Sequence, residues 1–310
     1  MNRARPRRRT RHNSAVPRLQ VLLAALCFGT TGTAQALGPD GASPLTVGAV
    51  RVALGAALLL LAVRLAAGSE PLRLARRPLA VGGLGVASYQ LCFFAAVHDT
   101  GVAVGTVAAL GSAPAFAGLG GWLVNRTKPG SAWAVATALA AVGVALMALS
   151  GSAEEVSVPG VVLALGAGAS YAVFTLASKR LLDAGAAVDR VMAGVFTLGA
   201  LLLVPVLIAG DLDWLASPDG LATAVWLGAV PTALAYILFA RGLRLLPASE
   251  VATLTLAEPV TAAALGAIVL GERPGAPAVA GIALVIAGLA MLALRGRPQD
   301  PVPAGEGALP

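Results

Sequence analysis

Charged residues are scarce in this chain. Only 12% of its 310 residues are Asp, Glu, Lys or Arg, whereas soluble domains carry roughly 25%. Hydrophobic residues make up 57% of the chain and its mean hydropathy is +0.83. The long apolar runs do not alternate with polar residues, which excludes a β-barrel of the outer-membrane type. The composition therefore predicts an all-α polytopic membrane protein and leaves no room for a soluble domain.

Cysteines, aromatic residues and catalytic motifs are also few. The two cysteines, Cys27 and Cys92, lie inside apolar runs, so we interpret them as small buried hydrophobes rather than as a disulfide framework or a metal site. No P-loop, HExxH motif or Ser-His-Asp constellation is visible. The sequence therefore predicts no cofactor and no metal ion, and it favours a protein that is not an enzyme. Glycine and alanine are plentiful instead, which suits closely packed membrane helices.

Apolar runs long enough to cross a bilayer, about 20 residues each, occur ten times. A tight turn at residues 98–100 is predicted between the third and fourth runs. The tails, 1–17 and 297–310, are polar and are predicted to be disordered. The predicted spans are 19–37, 44–65, 78–97, 101–123, 131–149, 158–178, 191–210, 220–240, 247–270 and 276–294.

Basic and acidic residues alternate between successive predicted loops. With the amino terminus inside, every Lys and Arg except Arg51 and Arg273 falls in an inner segment. This pattern predicts ten spans with both termini in the cytoplasm. The Arg-rich start could bind nucleic acid, but a topology anchor beside anionic lipid is favoured, so we predict membrane lipid and no nucleic acid as a partner. The outer segments carry Asp40, Asp99, Glu154, Glu155, Asp211, Asp213, Asp219 and Glu272.

The chain also contains an internal repeat. A shift of 145 residues places Pro114 on Pro259 and Gly143 on Gly288. A repeat unit of five spans reverses the second copy in the membrane, and such inverted repeats form secondary transporters with a site near the midplane. We therefore predict two inverted five-helix repeats, over residues 18–150 and 158–296, around a central cavity.

Two charges inside the spans mark the candidate site. Glu258 directly precedes Pro259, which removes a backbone donor and interrupts a helix. Intramembrane carboxylates usually mark a substrate or ion path, and a structural Glu satisfied inside the bundle is the alternative. Arg51 can pair with Glu258, hold an anionic group such as a substrate carboxylate, or reach the outer interface. Burial and a nearby Arg51 act oppositely on the protonation of Glu258, so proton coupling is a hypothesis.

Polar and aromatic residues within the spans extend the candidate path. Gln35 and Gln90 are the stronger candidates, because a buried amide is costly unless it finds partners. Each of the others singly is more often a packing or interface residue, or a hydroxyl bonded to its own helix. Pro205 and Pro231 are predicted to mark kinks. The other candidates are Thr30, Thr31, Tyr89, Phe93, Ser112, Tyr171, Thr175, Thr232, Tyr236 and Thr255.

The segments Leu256-Ala-Glu-Pro-Val260 and Leu270-Gly-Glu-Arg-Pro-Gly275 resemble the signature of the EamA family of the drug/metabolite transporter superfamily. The resemblance extends over residues 19–294, although the first copy has Ser112-Ala113-Pro114 and therefore lacks the acid. It implies a bacterial inner-membrane secondary transporter whose two five-helix halves enclose a cavity and export amino acids or related metabolites. It also implies that Arg51, Glu258 and Pro259 are motif residues.

The leading functional prediction is a secondary transporter that exports small polar metabolites, such as amino acids, by a proton gradient or by exchange. A membrane-embedded enzyme would need clustered acids or histidines at a membrane face. A passive channel would need repeated filter loops, and neither feature is visible. The sequence leaves open the substrate, the direction of transport, the coupling ion and the oligomeric state, for which a monomer is one alternative.

Overall fold

The fold is known from a computed structural model, which describes residues 15–67, 74–126, 128–148, 157–271 and 273–295. These ranges are mainly helical, with short connecting loops, and contain no strand. A short 3-10 turn, Asp213–Ala216, precedes α8, and a π-helical segment, Ala229–Leu234, joins α8 to α9. The α-helices are α1 (Ala15–Ala36), α2 (Pro44–Ala67), α3 (Arg76–Asn125), α4 (Ser131–Ala148), α5 (Val158–Asp183), α6 (Val188–Leu202), α7 (Val204–Ala209), α8 (Pro218–Gly228), α9 (Ala235–Leu245), α10 (Ala248–Leu254), α11 (Ala257–Val269) and α12 (Ala276–Arg295).

Eight described segments are long and apolar enough to cross a membrane, and Ser131–Met147 is a shorter apolar helix. The protein is therefore an all-helical, multi-pass membrane protein. The predicted span 191–210 is divided at Leu203 between α6 and α7. Pro205 lies in the first turn of α7 and has no N–H to continue the hydrogen-bond ladder of α6. The number of ten spans therefore stays a prediction.

Helix α3 consists of two arms that run in opposite directions. A straight helix of its 50 residues would be roughly 75 Å long, although the hydrocarbon core of a bilayer is only about 30 Å thick. A Cβ atom on Gly105 would lie 3.2 Å from the Val97 backbone, whereas a straight helix would separate these residues by roughly 12 Å. The chain therefore reverses between them, where the sequence predicts a tight turn. We call the arms α3a (Arg76–Thr100) and α3b (Val104–Val124).

Helices α4 and α12 show how the two halves are related. A Cβ atom on Gly143 would lie 2.5 Å from the carbonyl oxygen of Gly281, and one on Gly288 would lie 2.6 Å from that of Ala136. These two contacts are equivalent, because the 145-residue shift relates Gly143 to Gly288 and Ala136 to Gly281. Residue numbers rise along α4 as they fall along α12, so these equivalent helices are antiparallel. The aligned glycines thus occupy equivalent positions in a pseudo-two-fold arrangement.

The other helices of the first half also pack against the second half. Helix α1 contacts α9 and α11, α2 contacts α6 and α8, and α3 contacts α5. The largest fully buried side chains include Phe196 of α6 and Phe239 of α9. A central chamber lies between the two halves. Its walls come from α1, α2 and α3 on one side and from α5, α6, the π-helical segment, α9 and the start of α11 on the other.

The boundary of the amino-terminal tail differs from its prediction. Helix α1 begins at Ala15, so residues 15–17 are helical rather than disordered. Pro17 lies in the first turn, where a missing N–H costs no hydrogen bond. Arg18 forms an ion pair with Glu250 of α10 at 2.7 Å, which further holds the start of the helix. Residues 1–14, the predicted tail 297–310 and the acids Glu154, Glu155 and Glu272 lie outside the described residues.

Candidate functional site

The span that contains Glu258 is interrupted one turn before Pro259. Helix α10 ends at Leu254 and α11 begins at Ala257. Pro259 has no N–H for the Thr255 carbonyl four residues earlier, and the Glu258 N–H donates to that carbonyl instead, at 2.9 Å. The hydrogen bonds tighten from i→i−4 to i→i−3, as in a 3-10 turn. The predicted helix break is therefore present, and it leaves Glu258 in the first turn of α11.

The Glu258 side chain faces a cavity of about 540 Å³ between the two halves, part of it open to solvent. Its carboxylate has no hydrogen bond or ion pair with any residue that the structure describes. We call this cavity the acid lobe. Besides Glu258, its walls are Phe28, Thr31, Arg51, Tyr89, Leu110, Ala113, Tyr171, Tyr236, Thr255 and Leu256.

Arg51 reaches the same cavity from α2. Its Nη2 donates to Oε1 of Gln90 at 3.0 Å, and Nε2 of Gln90 donates to the Gly48 carbonyl at 2.9 Å. The Nε atom of Arg51 is buried without a hydrogen-bond partner. Gly48 permits this arrangement, because a Cβ atom there would lie only 2.9 Å from Gln90 Nε2. Arg51 is therefore held inside the bundle by an amide, rather than extended to the outer interface.

Arg51 and Glu258 do not form a direct pair. Among the described residues, no salt bridge of 4.0 Å or less joins them. Both nevertheless line the acid lobe. The acid lobe thus contains a cation, Arg51, and an anion, Glu258, that are not in direct contact.

All three tyrosines of the chain line this chamber. The hydroxyl of Tyr171 lies 3.3 Å from Oγ1 of Thr255, so α5 contacts the break between α10 and α11. The hydroxyls of Tyr89 and Tyr236 have no hydrogen-bond partner in the described part of the chain. Both can therefore donate to, or accept from, a bound molecule.

A second lobe, of about 340 Å³ and also partly open to solvent, adjoins the acid lobe at Arg51. It shares Arg51 and the three tyrosines with the acid lobe. Its remaining walls are mainly apolar, and we call it the apolar lobe. These walls are Val52, Gly85, Val86, Gln90, Phe174, Phe196 and Thr232.

The π-helical segment between α8 and α9 forms one wall of the apolar lobe. Pro231 has no N–H for the Leu227 carbonyl, and the Thr232 hydroxyl donates to that carbonyl at 2.7 Å. The helix is thus π-helical at Pro231, where the sequence predicts a kink, and such π-helical insertions often occur at functional sites. Tyr236 follows in the first turn of α9 and packs on Phe196, with ring centroids 4.3 Å apart.

Six of the candidate residues are not part of the cavity walls, namely Thr30, Gln35, Phe93, Ser112, Thr175 and Pro259. Gln35 lies in the last turn of α1, one turn beyond Thr31. Ser112 donates to the carbonyl oxygen of Ala108 at 2.6 Å, because a buried hydroxyl satisfies itself on its own helix. Pro259 acts on the backbone and not on the walls. The other candidates line one lobe or both, and these are Thr31, Arg51, Tyr89, Gln90, Tyr171, Thr232, Tyr236, Thr255 and Glu258.

Several wall residues are apolar and were not predicted from the sequence. Phe28, Phe174 and Phe196 contact the chamber, whereas Phe93, the phenylalanine among the sequence candidates, lines neither lobe. A usable signal existed for Phe174, because it follows Tyr171 by three positions and therefore lies on the same helical face. Val52 and Val86 carry no such signal, since valine is common throughout the spans.

Comparisons with known proteins agree on one family. The sequence profile of the EamA-like transporter family matches residues 18–149 and again 158–294. The chain is 42% identical over 281 residues to the uncharacterized transporter YwfM of Bacillus subtilis, covering 91% of this chain and 95% of that protein. It is 33% identical over 294 residues to the threonine/homoserine exporter RhtA of Salmonella typhimurium, covering 90% of this chain and 92% of that protein.

Other relatives and solved structures extend this likeness. The threonine/homoserine exporter RhtA of Escherichia coli K12 is 31% identical over 265 residues, covering 81% of this chain and 83% of that protein. A crystal structure titled only "Crystal structure of protein" superposes with a TM-score of 0.79 at 20% identity, over 90% of this chain and 96% of that one. That likeness shows the fold alone. The profile matches both halves, as the Leu-Ala-Glu-Pro-Val segment of α11 predicts, and the chain therefore belongs to the EamA-like transporter family.

Proposed function

We propose that this protein is a secondary active transporter that exports small amino acids and related polar metabolites by alternating access. The observation that carries the proposal is the pair of unpaired opposite charges, Arg51 and Glu258, that face one cavity between the two halves. A zwitterion presents a carboxylate and an ammonium group a short distance apart. Such a molecule can neutralise both side chains at once, whereas an uncharged solute leaves both charges without partners.

Arg51 is suited to the carboxylate of the substrate. Its Nε is buried without a partner and one Nη is held by Gln90, so its orientation is set before the substrate arrives. Guanidinium groups bind carboxylates through paired, charge-assisted hydrogen bonds. Glu258 then receives the ammonium group, and the Tyr89 and Tyr236 hydroxyls are available for the remaining polar atoms.

The relatives support an amino acid as the substrate. Two of them are named threonine/homoserine exporters, and both are aligned over more than four fifths of this chain. In the proposed cycle the two antiparallel halves rock about the chamber and open it to each side in turn. Ten spans, an inner-membrane location and two cytoplasmic termini complete the proposal, and the alternation of loop charges supports them.

Glu258 is also the proposed coupling site. Its carboxylate faces the lobe without a partner among the described residues, so a proton can take the place of the ammonium group during the return of the empty carrier. In this scheme a proton and a substrate bind to Glu258 alternately. Export of the zwitterion is then coupled to proton entry.

The test is transport by the full-length protein reconstituted in proteoliposomes. We expect saturable counterflow of at least one labelled α-amino acid from a panel that includes glycine, alanine, valine and threonine. Arg51→Ala should abolish counterflow, because the carboxylate loses its partner. Arg273→Ala is the matched control, since this exposed arginine lies outside both lobes, and it should leave counterflow unchanged.

Coupling is tested with Glu258→Gln in the same liposomes. We expect the variant to lose uptake driven by a pH gradient and to bind substrate more weakly. Full retention of gradient-driven uptake by this variant would overturn the coupling role. Absence of counterflow for every amino acid on the panel would overturn the proposed function.

The same experiment separates the alternatives. A passive channel gives flux without counterflow, and a membrane-embedded enzyme returns a chemically altered solute. In the described part of the chain, no three His, Cys, Asp or Glu side chains are grouped closely enough to hold a metal ion.

A further inference from the structure

The apolar lobe shares the guanidinium of Arg51 with the acid lobe but offers a different chemistry. Val52 and Val86 form one part of its wall, and Phe174 and Phe196 form another. Glu258 lines the acid lobe and is not part of this wall. A ligand held by Arg51 therefore borders two adjoining spaces, one that contains the Glu258 carboxylate and one whose additional walls are mainly hydrocarbon.

The two polar side chains that line the apolar lobe but not the acid lobe, Gln90 and Thr232, are already engaged by the protein. Gln90 accepts from Arg51 with its oxygen and donates to Gly48 with its nitrogen. The Thr232 hydroxyl donates its proton to the Leu227 carbonyl. At these two residues, a hydroxyl group placed in the lobe would have to compete with existing hydrogen bonds.

We propose that the apolar lobe is the side-chain pocket of the substrate and that it selects small aliphatic α-amino acids of the valine type over hydroxylated ones. This inference rests on the proposed function, because Arg51 and Glu258 must hold the carboxylate and the ammonium group. With both groups held, the α-carbon lies at the junction of the two lobes. The side chain then enters the apolar lobe beside Val52 and packs toward Phe196.

The size of the expected preference follows from general transfer energies. Each methylene group buried in an apolar site strengthens binding roughly fourfold. A hydrophobic pocket rejects a nearly isosteric side chain that carries a hydroxyl by at most about 100-fold. Valine should therefore bind at least several-fold more tightly than alanine, and between a few-fold and about 100-fold more tightly than threonine.

The first experiment is competition against labelled alanine counterflow in proteoliposomes with the wild-type protein. We expect the half-inhibitory concentration to rise in the order valine, alanine, glycine, with threonine weaker than valine. If counterflow of alanine is present but threonine competes as well as valine, the selectivity assigned to the apolar lobe is wrong and the proposed function still stands. If no amino acid on the panel gives counterflow, the proposed function itself fails.

The second experiment changes the lobe at Val52, which is 2% exposed. Val52→Ala enlarges the lobe and should shift the preference from valine toward leucine. Val52→Ile makes the lobe smaller. It should weaken the binding of valine several-fold and leave the binding of glycine unchanged. The opposite signs of these two shifts distinguish a pocket wall from a general packing position, which both substitutions would disturb alike.

The matched control is Val162→Ile, because this exposed valine of α5 lies outside both lobes. It should leave the ratio of valine to glycine affinity unchanged. Each variant must elute as a single species and show a thermal midpoint close to that of the wild type. Should Val52→Ile fail this criterion, Val86→Ile reduces the same lobe and carries the same expectation. If the ratio of valine to glycine affinity is the same in the wild type, in Val52→Ala and in Val52→Ile, the inference is overturned.

Discussion

The orientation of Arg51 depends on a residue that carries no charge. Gln90, on α3a, is only 2% exposed. Its amide oxygen accepts a hydrogen bond from Arg51, and its amide nitrogen donates one to the Gly48 carbonyl. Gln90 thus positions the guanidinium without being required to contact the substrate. A side chain that acts in this way should affect binding more than it affects folding.

Replacement of Gln90 by Ala tests this role. A hydrogen bond to a charged group contributes about 1.5–3 kcal/mol, so we expect the KM for counterflow to rise by about tenfold or more, with a smaller change in maximal rate. Gln35→Ala is the matched control, because Gln35 lies at the end of α1 and outside both lobes. Equal KM values for the two variants would show that Gln90 does not position Arg51.

Residue-scale predictions from the sequence succeeded where the residue type was rare. Arg51 and Glu258 attract attention because charges inside spans are costly, and both do line the chamber. Gln35 and Gln90 carried the same signal, yet only Gln90 lies in a wall. The sequence does not contain the register between α2 and α3a, and that register decides which glutamine meets Arg51.

At the scale of elements, two equivalent prolines have different consequences. The span with Pro259 is interrupted at Thr255 and Leu256, whereas α3b continues through Pro114. At the break, the Thr255 hydroxyl donates to the Ala252 carbonyl, and the Tyr171 hydroxyl lies 3.3 Å from Thr255 Oγ1. The equivalent residue in the first copy is Leu110, whose side chain can form neither contact. We therefore expect the break to depend on the Thr255 hydroxyl as well as on Pro259.

Pro259→Ala should separate stability from transport. The new N–H can bond to the Thr255 carbonyl, so α10 and α11 can join and the Glu258 carboxylate turns within the lobe. Because a proline inside a helix costs about 3 kcal/mol or more, the thermal midpoint should stay the same or rise. The counterflow rate should fall at least tenfold.

Pro114→Ala is the control at the equivalent position of the first half. Here the helix is already continuous, so we expect a similar or higher thermal midpoint and a counterflow rate within about twofold of the wild type. Wild-type transport by Pro259→Ala would show that the interruption has no role in the cycle.

The helix break was predicted from Pro259, because proline removes a backbone donor, although the continuity of α3b through Pro114 shows that a proline alone is not sufficient. The division at Leu203 and the π-helical segment at Pro231 follow from the same rule. Helix α1 begins earlier than the sequence predicts, and the ion pair that holds its start joins Arg18 to Glu250, 232 positions away. Local chemistry thus predicts where helices are interrupted better than where they begin.

At the scale of the whole molecule, the repeat in the sequence becomes a symmetry of contacts. The shift of 145 residues was recognised from aligned prolines and glycines, and in the structure it relates the contacts of Gly143 to those of Gly288. The chamber does not share this symmetry, because only the second copy carries an acid and a hydroxyl at its break. The scaffold was therefore predictable from repetition, whereas the apolar walls between the halves depend on how the helices pack.

The crossing of α4 and α12 offers a direct test of this symmetry. A Cβ atom on Gly143 would meet the Gly281 carbonyl oxygen at 2.5 Å, and one on Gly288 would meet that of Ala136 at 2.6 Å. Gly143→Ala and Gly288→Ala should therefore lower the thermal midpoint in detergent by similar amounts. We expect a loss of about 1–3 kcal/mol for each, which is typical of overpacking at a close contact.

Gly32→Ala is the matched control, because a Cβ atom on this exposed glycine of α1 would meet nothing within 4 Å. It should leave the midpoint unchanged or raise it, since alanine favours a helix over glycine by about 1 kcal/mol. A large loss in one crossing variant and none in the other would show that the two halves are not equivalent at this interface. A similar loss in both would mean that each half supports the other through the same contact, as a carrier needs if its halves are to rock about a shared chamber.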